Sequence, residues 1–203
     1  MRRMPNTAGV VGSRKYNTIC AAEVSFVLLS FVLNKLHTME ITSVISFIDY
    51  YGRLRERTLR ILNIVPRDKM DWAYKPGKFT IADMIRHIAA IELNMFAENV
   101  MLRPTRYNGC GKELADGYDV VLDYFKEMHY QSVAIFKTLT TADLKRKCPY
   151  PGGEITTWKW LRALTEHEIH HRGELYIYLN LLDVKTPPMF GLTAEEVQMR
   201  NLK

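Results

Sequence analysis

Four long segments of this 203-residue chain carry apolar residues three or four positions apart. That spacing places the apolar side chains on one face of an α-helix, so each segment predicts an amphipathic helix. Stretches rich in proline and glycine, which end helices, separate the segments. Because the segments lack the alternating pattern of strands, the sequence predicts an all-α fold, a four-helix bundle. The predicted helices cover residues 40–63, 80–102, 118–139 and 156–183.

Histidines interrupt the apolar stripe of the fourth predicted helix. His167 and His171 stand one helical turn apart at positions where leucine would otherwise be expected. Two imidazoles that face a core need polar partners, because an unpaired buried polar group costs about 1–3 kcal/mol. A bound metal ion or a hydrogen-bond network would satisfy them. The rest of the stripe consists of Trp160, Leu164, Leu175, Tyr178 and Leu182.

A third histidine lies on the apolar side of the second predicted helix. His87 follows Met84 by three residues and precedes Ile91 by four. With His167 and His171 it forms a candidate three-imidazole metal site between the second and fourth helices. Three protein ligands leave positions open for water or substrate, as in catalytic rather than structural sites. Imidazole binds zinc, nickel, iron and copper, so these ligands alone do not name the metal.

Polar residues around the histidine pair are candidate supports for the ligands. His170 points about 100° away from His171 on the helix and is therefore interpreted as a neighbour of the site. Arg172 and Glu174 are candidates for hydrogen bonds to the ligands or their partners. For all three residues, the competing interpretation is an ordinary exposed helix surface.

The same segment also matches the zincin pattern His-Glu-x-x-His over residues 167–171. In zincins the glutamate is the general base for water on the metal, so Glu168 is a candidate catalytic residue. The extended form of the motif requires glycine and histidine where this chain has Glu174 and Ile177. The incomplete motif therefore gives only weak support to a zinc hydrolase.

The net charge of +6 is concentrated at the start of the chain. Residues 1–38 hold five basic side chains and one acidic, which account for +4, so the remainder is nearly neutral. This distribution argues against a nucleic-acid partner. The apolar run at residues 20–33 is shorter than the roughly 20 residues that span a bilayer, so stable membrane insertion is not expected. Three widely spaced cysteines indicate no disulfide framework and favour a cytoplasmic protein.

The composition divides the chain into three parts. Residues 1–38 are predicted to be an extension, disordered at first and followed by a short apolar helix that is at most loosely packed. A competing interpretation, which the start of recognisable organisation at Met39 favours, is a non-native upstream extension with translation beginning at Met39. Residues 39–184 form the predicted bundle. Residues 185–203 are a tail in which a short helix is expected from about Thr193.

The chain resembles the DinB family, also called DinB/YfiT-like metalloenzymes, over about residues 39–184. Two features carry the resemblance. One is His87 after a Pro-Gly-x-x-Thr entry, and the other is the run His-Glu-Ile-His-His-Arg-Gly-Glu at residues 167–174. The resemblance implies an up-down-down-up bundle, often dimeric, with one divalent metal, most often zinc or nickel, held by His87, His167 and His171. Glu174 stands where many members of the family have glutamine.

Members of this family include S-transferases that use low-molecular-weight thiols. The resemblance therefore implies a metal-dependent transferase in which such a thiol attacks an electrophilic small molecule. Two alternatives remain open, a non-catalytic metal-binding protein of stress responses and a zinc hydrolase that uses Glu168. The expected partners are a small-molecule substrate and a second copy of the chain.

Overall fold

The computed structural model describes residues 40–201, so the predictions for residues 1–38 lie outside the described residues. The predicted four-helix bundle is confirmed. Its second long helix is continuous but not uniform, since α2 passes through a π-helical turn (Glu92–Ala97) into α3. The helices are α1 (Val44–Leu62), α2 (Ile81–Ile91), α3 (Glu98–Val100), α4 (Tyr118–Phe136), α5 (Thr141–Lys145), α6 (Thr157–Leu181) and α7 (Ala194–Asn201).

The start of α2 is fixed by a capping box. The Thr80 hydroxyl accepts a hydrogen bond from the Asp83 amide, and the Asp83 carboxylate accepts one from the Thr80 amide. Both bonds satisfy amide groups that would otherwise lack a partner at the helix start. The predicted start at Thr80 is confirmed, and it sets the phase that turns His87 towards the fourth long helix.

The π-helical turn changes which residues of the second long helix are buried. The sequence predicts Met95 on the buried stripe, but in the structure Met95 is half-buried, whereas Leu93 and Phe96 are buried. A π-helical turn bonds residues five apart, so it rotates the following residues relative to a uniform α-helix. One result is that Glu92 enters the core, where its side chain is 0% exposed.

The second long helix and α4 run in the same direction. Glu92 Oε1 lies 2.8 Å from His129 Nδ1, and further along both helices Met101 accepts a hydrogen bond from Thr138. Parallel neighbours need a connection that returns along the whole helix, and residues 103–117 form it. This connection passes over the start of α2, close to His87.

α1 and α6 are also parallel to each other. Ser43, at the start of α1, lines one cleft with Arg162 from the beginning of α6. Arg60, near the end of α1, lies beside Tyr176 towards the end of α6. The second long helix runs against α6, since Phe96 near its end packs on Trp160 with ring centroids 4.3 Å apart. The predicted up-down-down-up order is therefore confirmed.

A hairpin precedes α6, although the sequence pattern indicated no strands. β1 (Lys147–Tyr150) pairs antiparallel with β2 (Gly153–Thr156) through a two-residue turn. Gly153 has φ of +126°, a conformation that glycine adopts without strain. The strands are four residues long, too short for alternation to stand out against the turn-forming prolines and glycines around them. The short helix predicted in the tail is present as α7.

The core fills the space between the four long helices and consists of two apolar clusters. One cluster includes Met84 and Leu175, the other includes Phe96 and Leu164, and the three histidines lie between them. Large side chains that are fully buried include Tyr51, Leu54, Ile85, Ile88, Phe125, Phe136, Leu161 and Leu175.

In the described part of the chain, no helix is both long and apolar enough to cross a membrane.

Candidate metal centre

His87 is held at both ring nitrogens. Its Nε2 lies 3.1 Å from Nε2 of His167, and its Nδ1 lies 2.7 Å from the hydroxyl of Tyr107. The ring of Phe79 packs against the imidazole, with centroids 5.4 Å apart. The orientation of His87 is therefore set by contacts on several sides, and its Nε2 faces the fourth long helix.

α6 supplies the other two imidazoles. The rings of His167 and His171 lie one turn apart with centroids 4.5 Å from each other, and the His171 ring is 4.7 Å from that of His87. One nitrogen from each of the three residues lies within 4.8 Å of the others. The structure thus brings together the three histidines that the sequence indicates as candidate ligands.

The three imidazoles are uncharged near neutral pH. Burial, with a smaller contribution from the neighbouring histidines, lowers the pKa of His87 to about 4 and that of His167 to about 3. Burial also lowers the pKa of His171, against an opposing effect of Glu174. Metal ions bind the lone pair of a neutral imidazole, so all three side chains are in the form that ligation requires.

The site fits a divalent metal ion. Ligands of one tetrahedral zinc ion lie about 3.3 Å apart, given Zn–N bonds of about 2.0–2.1 Å, and the two facing Nε2 atoms are 3.1 Å apart. Two neutral imidazoles gain a single hydrogen bond from such a contact, whereas a shared ion engages both lone pairs. The donor set is nitrogen only, which suits zinc or nickel better than magnesium or calcium.

Glu174 supports His171 and joins it to His170. One carboxylate oxygen of Glu174 lies 2.6 Å from Nδ1 of His171, and the other lies 3.4 Å from Nε2 of His170. Because Nδ1 is engaged by the carboxylate, Nε2 of His171 is left for the metal. A carboxylate behind a ligating histidine fixes its tautomer and raises its basicity. His170 itself is 66% exposed and lies outside the group of three.

Glu168 points away from the three histidines into a buried polar network. One carboxylate oxygen accepts a hydrogen bond of 2.6 Å from the Thr58 hydroxyl, and the other lies 3.0 Å from the guanidinium of Arg55. Its side chain is 0% exposed. A zincin base has to reach water on the metal, and this carboxylate is instead occupied by residues of α1. These contacts favour a structural role for Glu168 over the role of a general base.

The network extends across the bundle through Arg55. Its guanidinium also pairs with Glu92, and Glu92 in turn contacts His129 at 2.8 Å. Arg172 joins from α6, where it donates a hydrogen bond of 3.2 Å to the carbonyl of Leu54. Arg172 thus lies beside the network rather than against the three histidines. The sequence pattern does not single out His129, because its partner Glu92 stands on another helix.

A cleft of about 400 Å³ opens beside the metal centre. His171 and Glu174 form part of its wall, and the segment that precedes α2 forms most of the remainder. A second cleft, of about 390 Å³, lies between the starts of α1 and α6, and its lining includes none of the three histidines. The other residues around the first cleft are Tyr74, Gly77, Lys78, Phe79, Met84 and Tyr178.

The metal-free protein is expected to lose stability as the pH falls from about 6.5 towards 5. An unfolded histidine binds a proton near pH 6.5, whereas the folded pKa values of His87 and His167 are about 4 and 3. In this window the unfolded chain binds more protons, so the free energy of unfolding falls with pH. Denaturant titrations across the window check this. The His167→Gln variant should show a shallower slope, and an unchanged slope would contradict the assignment.

Comparisons with known proteins agree with the fold and name its family. The model of the DinB superfamily matches residues 50–175, which is more than half of the chain. A protein of Oceanobacillus iheyensis, provisionally named metal-dependent hydrolase OB0782, is 26% identical over 156 residues, covering 67% of this chain and 87% of its own length.

Solved structures show the same architecture. A DinB-like protein of Bacillus cereus superposes with a TM-score of 0.62 at 16% identity, covering 72% of this chain and 97% of the other. YfiT of Bacillus subtilis, described as a probable metal-dependent hydrolase with an unusual four-helix bundle topology, superposes with a TM-score of 0.57 at 17% identity. That match covers 70% of this chain and 89% of YfiT. The family model and the shared bundle together establish that this chain belongs to the DinB superfamily.

Proposed function

We propose that this chain is a metal-dependent transferase that joins a low-molecular-weight thiol to an electrophilic small molecule. The observation that carries the proposal is the convergence of three uncharged imidazoles, from His87, His167 and His171, beside a cleft of about 400 Å³. A divalent ion such as zinc or nickel, when bound there, supplies Lewis acidity that lowers the pKa of a thiol.

The residues of the cleft provide the remaining functions. Glu174 lines the cleft, and its carboxylate can accept the proton that the thiol releases. The sulfur then bonds to the electrophilic carbon as the leaving group on that carbon departs with its electron pair. The ammonium group of Lys78 attracts carboxylates, which small biological thiols often carry. The rings of Tyr74, Phe79 and Tyr178 line the cleft and offer apolar surface to the electrophile.

The position of Glu168 favours thiol transfer over zincin-type hydrolysis. A thiol whose pKa is already lowered needs no strong general base, whereas hydrolysis of the zincin type requires one beside the attacking water. Glu168 is engaged by Thr58 and Arg55 and is fully buried. Hydrolysis remains the second candidate, because two relatives carry names that describe metal-dependent hydrolases. In this chain Glu174 would then have to act as the base.

The test is a thiol-dependent reaction with a chromogenic alkylating agent. Protein purified without a metal-affinity tag is loaded with zinc or nickel and assayed with several small thiols. The rate should exceed the uncatalysed rate and fall in the His171→Ala variant by at least the roughly 10–100-fold that follows loss of an outer-shell partner. The His170→Ala variant, altered at an exposed neighbour, should keep most of the activity.

Three other outcomes would contradict this proposal or favour a different function. Equal rates for the wild type and His171→Ala would contradict a metal-dependent transferase. Hydrolysis of activated esters without any thiol, lost in both His171→Ala and Glu174→Gln, would favour the hydrolase. Stoichiometric metal binding without either reaction across the panel of substrates would favour the non-catalytic metal-binding protein.

A further inference from the structure

We infer that Tyr107 is a positioning residue of the metal centre, whose hydroxyl fixes the tautomer and the orientation of His87. The inference rests on the proposed function, because it concerns the same three histidines. It adds a residue from outside the helices to a site that the sequence motif confines to α2 and α6. Tyr107 lies in the connection 103–117, which precedes α4.

The contact with Tyr107 supports the tautomer of His87 that leaves Nε2 free for a metal. A neutral imidazole carries one proton, on either Nδ1 or Nε2. With the Tyr107 oxygen 2.7 Å from Nδ1, a proton on Nδ1 is donated to the hydroxyl oxygen. The lone pair then lies on Nε2, the atom that faces His167 at 3.1 Å. With the proton on Nδ1, the Tyr107 oxygen stabilises the tautomer whose Nε2 lone pair can bind the same ion as Nε2 of His167.

The connection that carries Tyr107 is held in place from both sides. Arg86, the residue before His87, is fully buried and donates hydrogen bonds of 2.7 Å and 2.9 Å to the carbonyls of Cys110 and Ala115. On the other side, the backbone amide of Arg106 donates a bond of 2.7 Å to the carbonyl of Asn94. Tyr107 is therefore a fixed partner of His87 and not a side chain that meets it by chance.

Tyr107 supports His87 with an uncharged group, its phenol hydroxyl. A neutral phenol accepts from Nδ1 without adding negative charge, whereas Glu174 brings a carboxylate to His171. A neutral hydroxyl thus supports His87 on α2, whereas a carboxylate supports His171 on α6.

The experiment measures zinc affinity by competition with a chromogenic chelator, using the full chain. Tyr107→Phe keeps the ring and removes only the hydroxyl, so zinc affinity should fall by about 10–100-fold. Tyr130→Phe is the matched control, because Tyr130 is 72% exposed, and it should leave the affinity unchanged. Unfolding of the metal-free variants is followed in parallel to show that each folds as the wild type does.

A double-mutant comparison separates positioning from a purely structural role. If Tyr107 acts through His87, Tyr107→Phe should have no further effect on the residual zinc affinity of His87→Ala. An equal loss in both backgrounds would overturn the inference and indicate a general effect on the connection. Unchanged affinity of Tyr107→Phe, with normal binding by the wild type, would overturn the inference alone. Failure of the wild type to bind zinc would overturn the proposed function as well.

Discussion

Replacing Arg55 with methionine is expected to lower the free energy of unfolding by about 3–5 kcal/mol, the usual cost of removing one partner from a buried ion pair. Arg55 is 3% exposed, and both of its carboxylate partners, Glu92 and Glu168, are 0% exposed. Burial opposes the charge of the guanidinium, but Glu168 and Glu92 outweigh it and raise the pKa of Arg55. Methionine fills a similar volume but leaves two buried carboxylates without their shared cation.

Chemical denaturation of the metal-free protein measures this effect, and Arg53→Met is its matched control. Arg53 lies on the same helix and pairs with Asp49, but both side chains are more than half exposed, so its loss should change the free energy of unfolding little. Adding Glu168→Gln and Glu92→Gln to Arg55→Met should recover part of the loss, because the unpaired charges are removed. Equal stability of Arg55→Met and Arg53→Met would show that the network contributes little.

Replacing any one of His87, His167 and His171 with alanine is expected to reduce metal affinity by more than about 100-fold, beyond the range for outer-shell residues. Each substitution removes a nitrogen from a group whose members lie within 4.8 Å of one another. Metal content after dialysis against a weak chelator, measured by elemental analysis, checks the expectation. The wild type should retain about one ion per chain, and each variant should retain almost none.

The comparison with His170→Ala distinguishes two overlapping groups of ligands. His170, His171 and Glu174 also lie close enough together to hold an ion, and they share His171 with the proposed centre. If the centre is formed as proposed, His87→Ala loses the metal and His170→Ala keeps it. The reverse result would move the site to the exposed face of α6. If both variants retain the metal, neither group of residues binds it.

The helices and the meeting of the three histidines were predictable, because both follow from the spacing of residues along individual helices. Apolar residues three and four apart give the helical faces, and the Thr80–Asp83 pair marks the start of α2. The π-helical turn was not predictable from that spacing, since it depends on how α2 packs against its neighbours. It decides that Phe96 is buried while Met95 is only partly so.

The buried network was missed although the sequence carried a signal for it. α6 carries a second stripe beside the one that contains the histidines. Its residues are three or four positions apart, except for one gap of seven: Leu161, Glu168, Arg172, Leu175 and Leu179. All five residues are buried. From the sequence, Glu168 is a candidate base at the metal and Arg172 is either a support of the ligands or an exposed residue, because most charged side chains are exposed. Their partners, Arg55 and Thr58, stand more than 100 positions away in sequence, so spacing could not pair them.

The role of Tyr107 could not be predicted, because the connection 103–117 has no helical or strand periodicity. Only the return of this connection over the start of α2 brings the hydroxyl to His87. That return follows from the parallel arrangement of the second long helix and α4. The arrangement is a property of the whole bundle and not of the residues around position 107.

An anomalous-scattering map recorded at the absorption edge of the bound metal tests the metal centre most directly. Crystals of protein purified without a metal-affinity tag should give one strong peak per chain within about 2.0–2.1 Å of a nitrogen of each of His87, His167 and His171. The carboxylate of Glu168 should remain with Arg55 and Thr58, away from the peak. A peak ligated by Glu168, or one centred on His170 and Glu174, would contradict the assignment, as would a map with no peak from protein that retains its metal in solution.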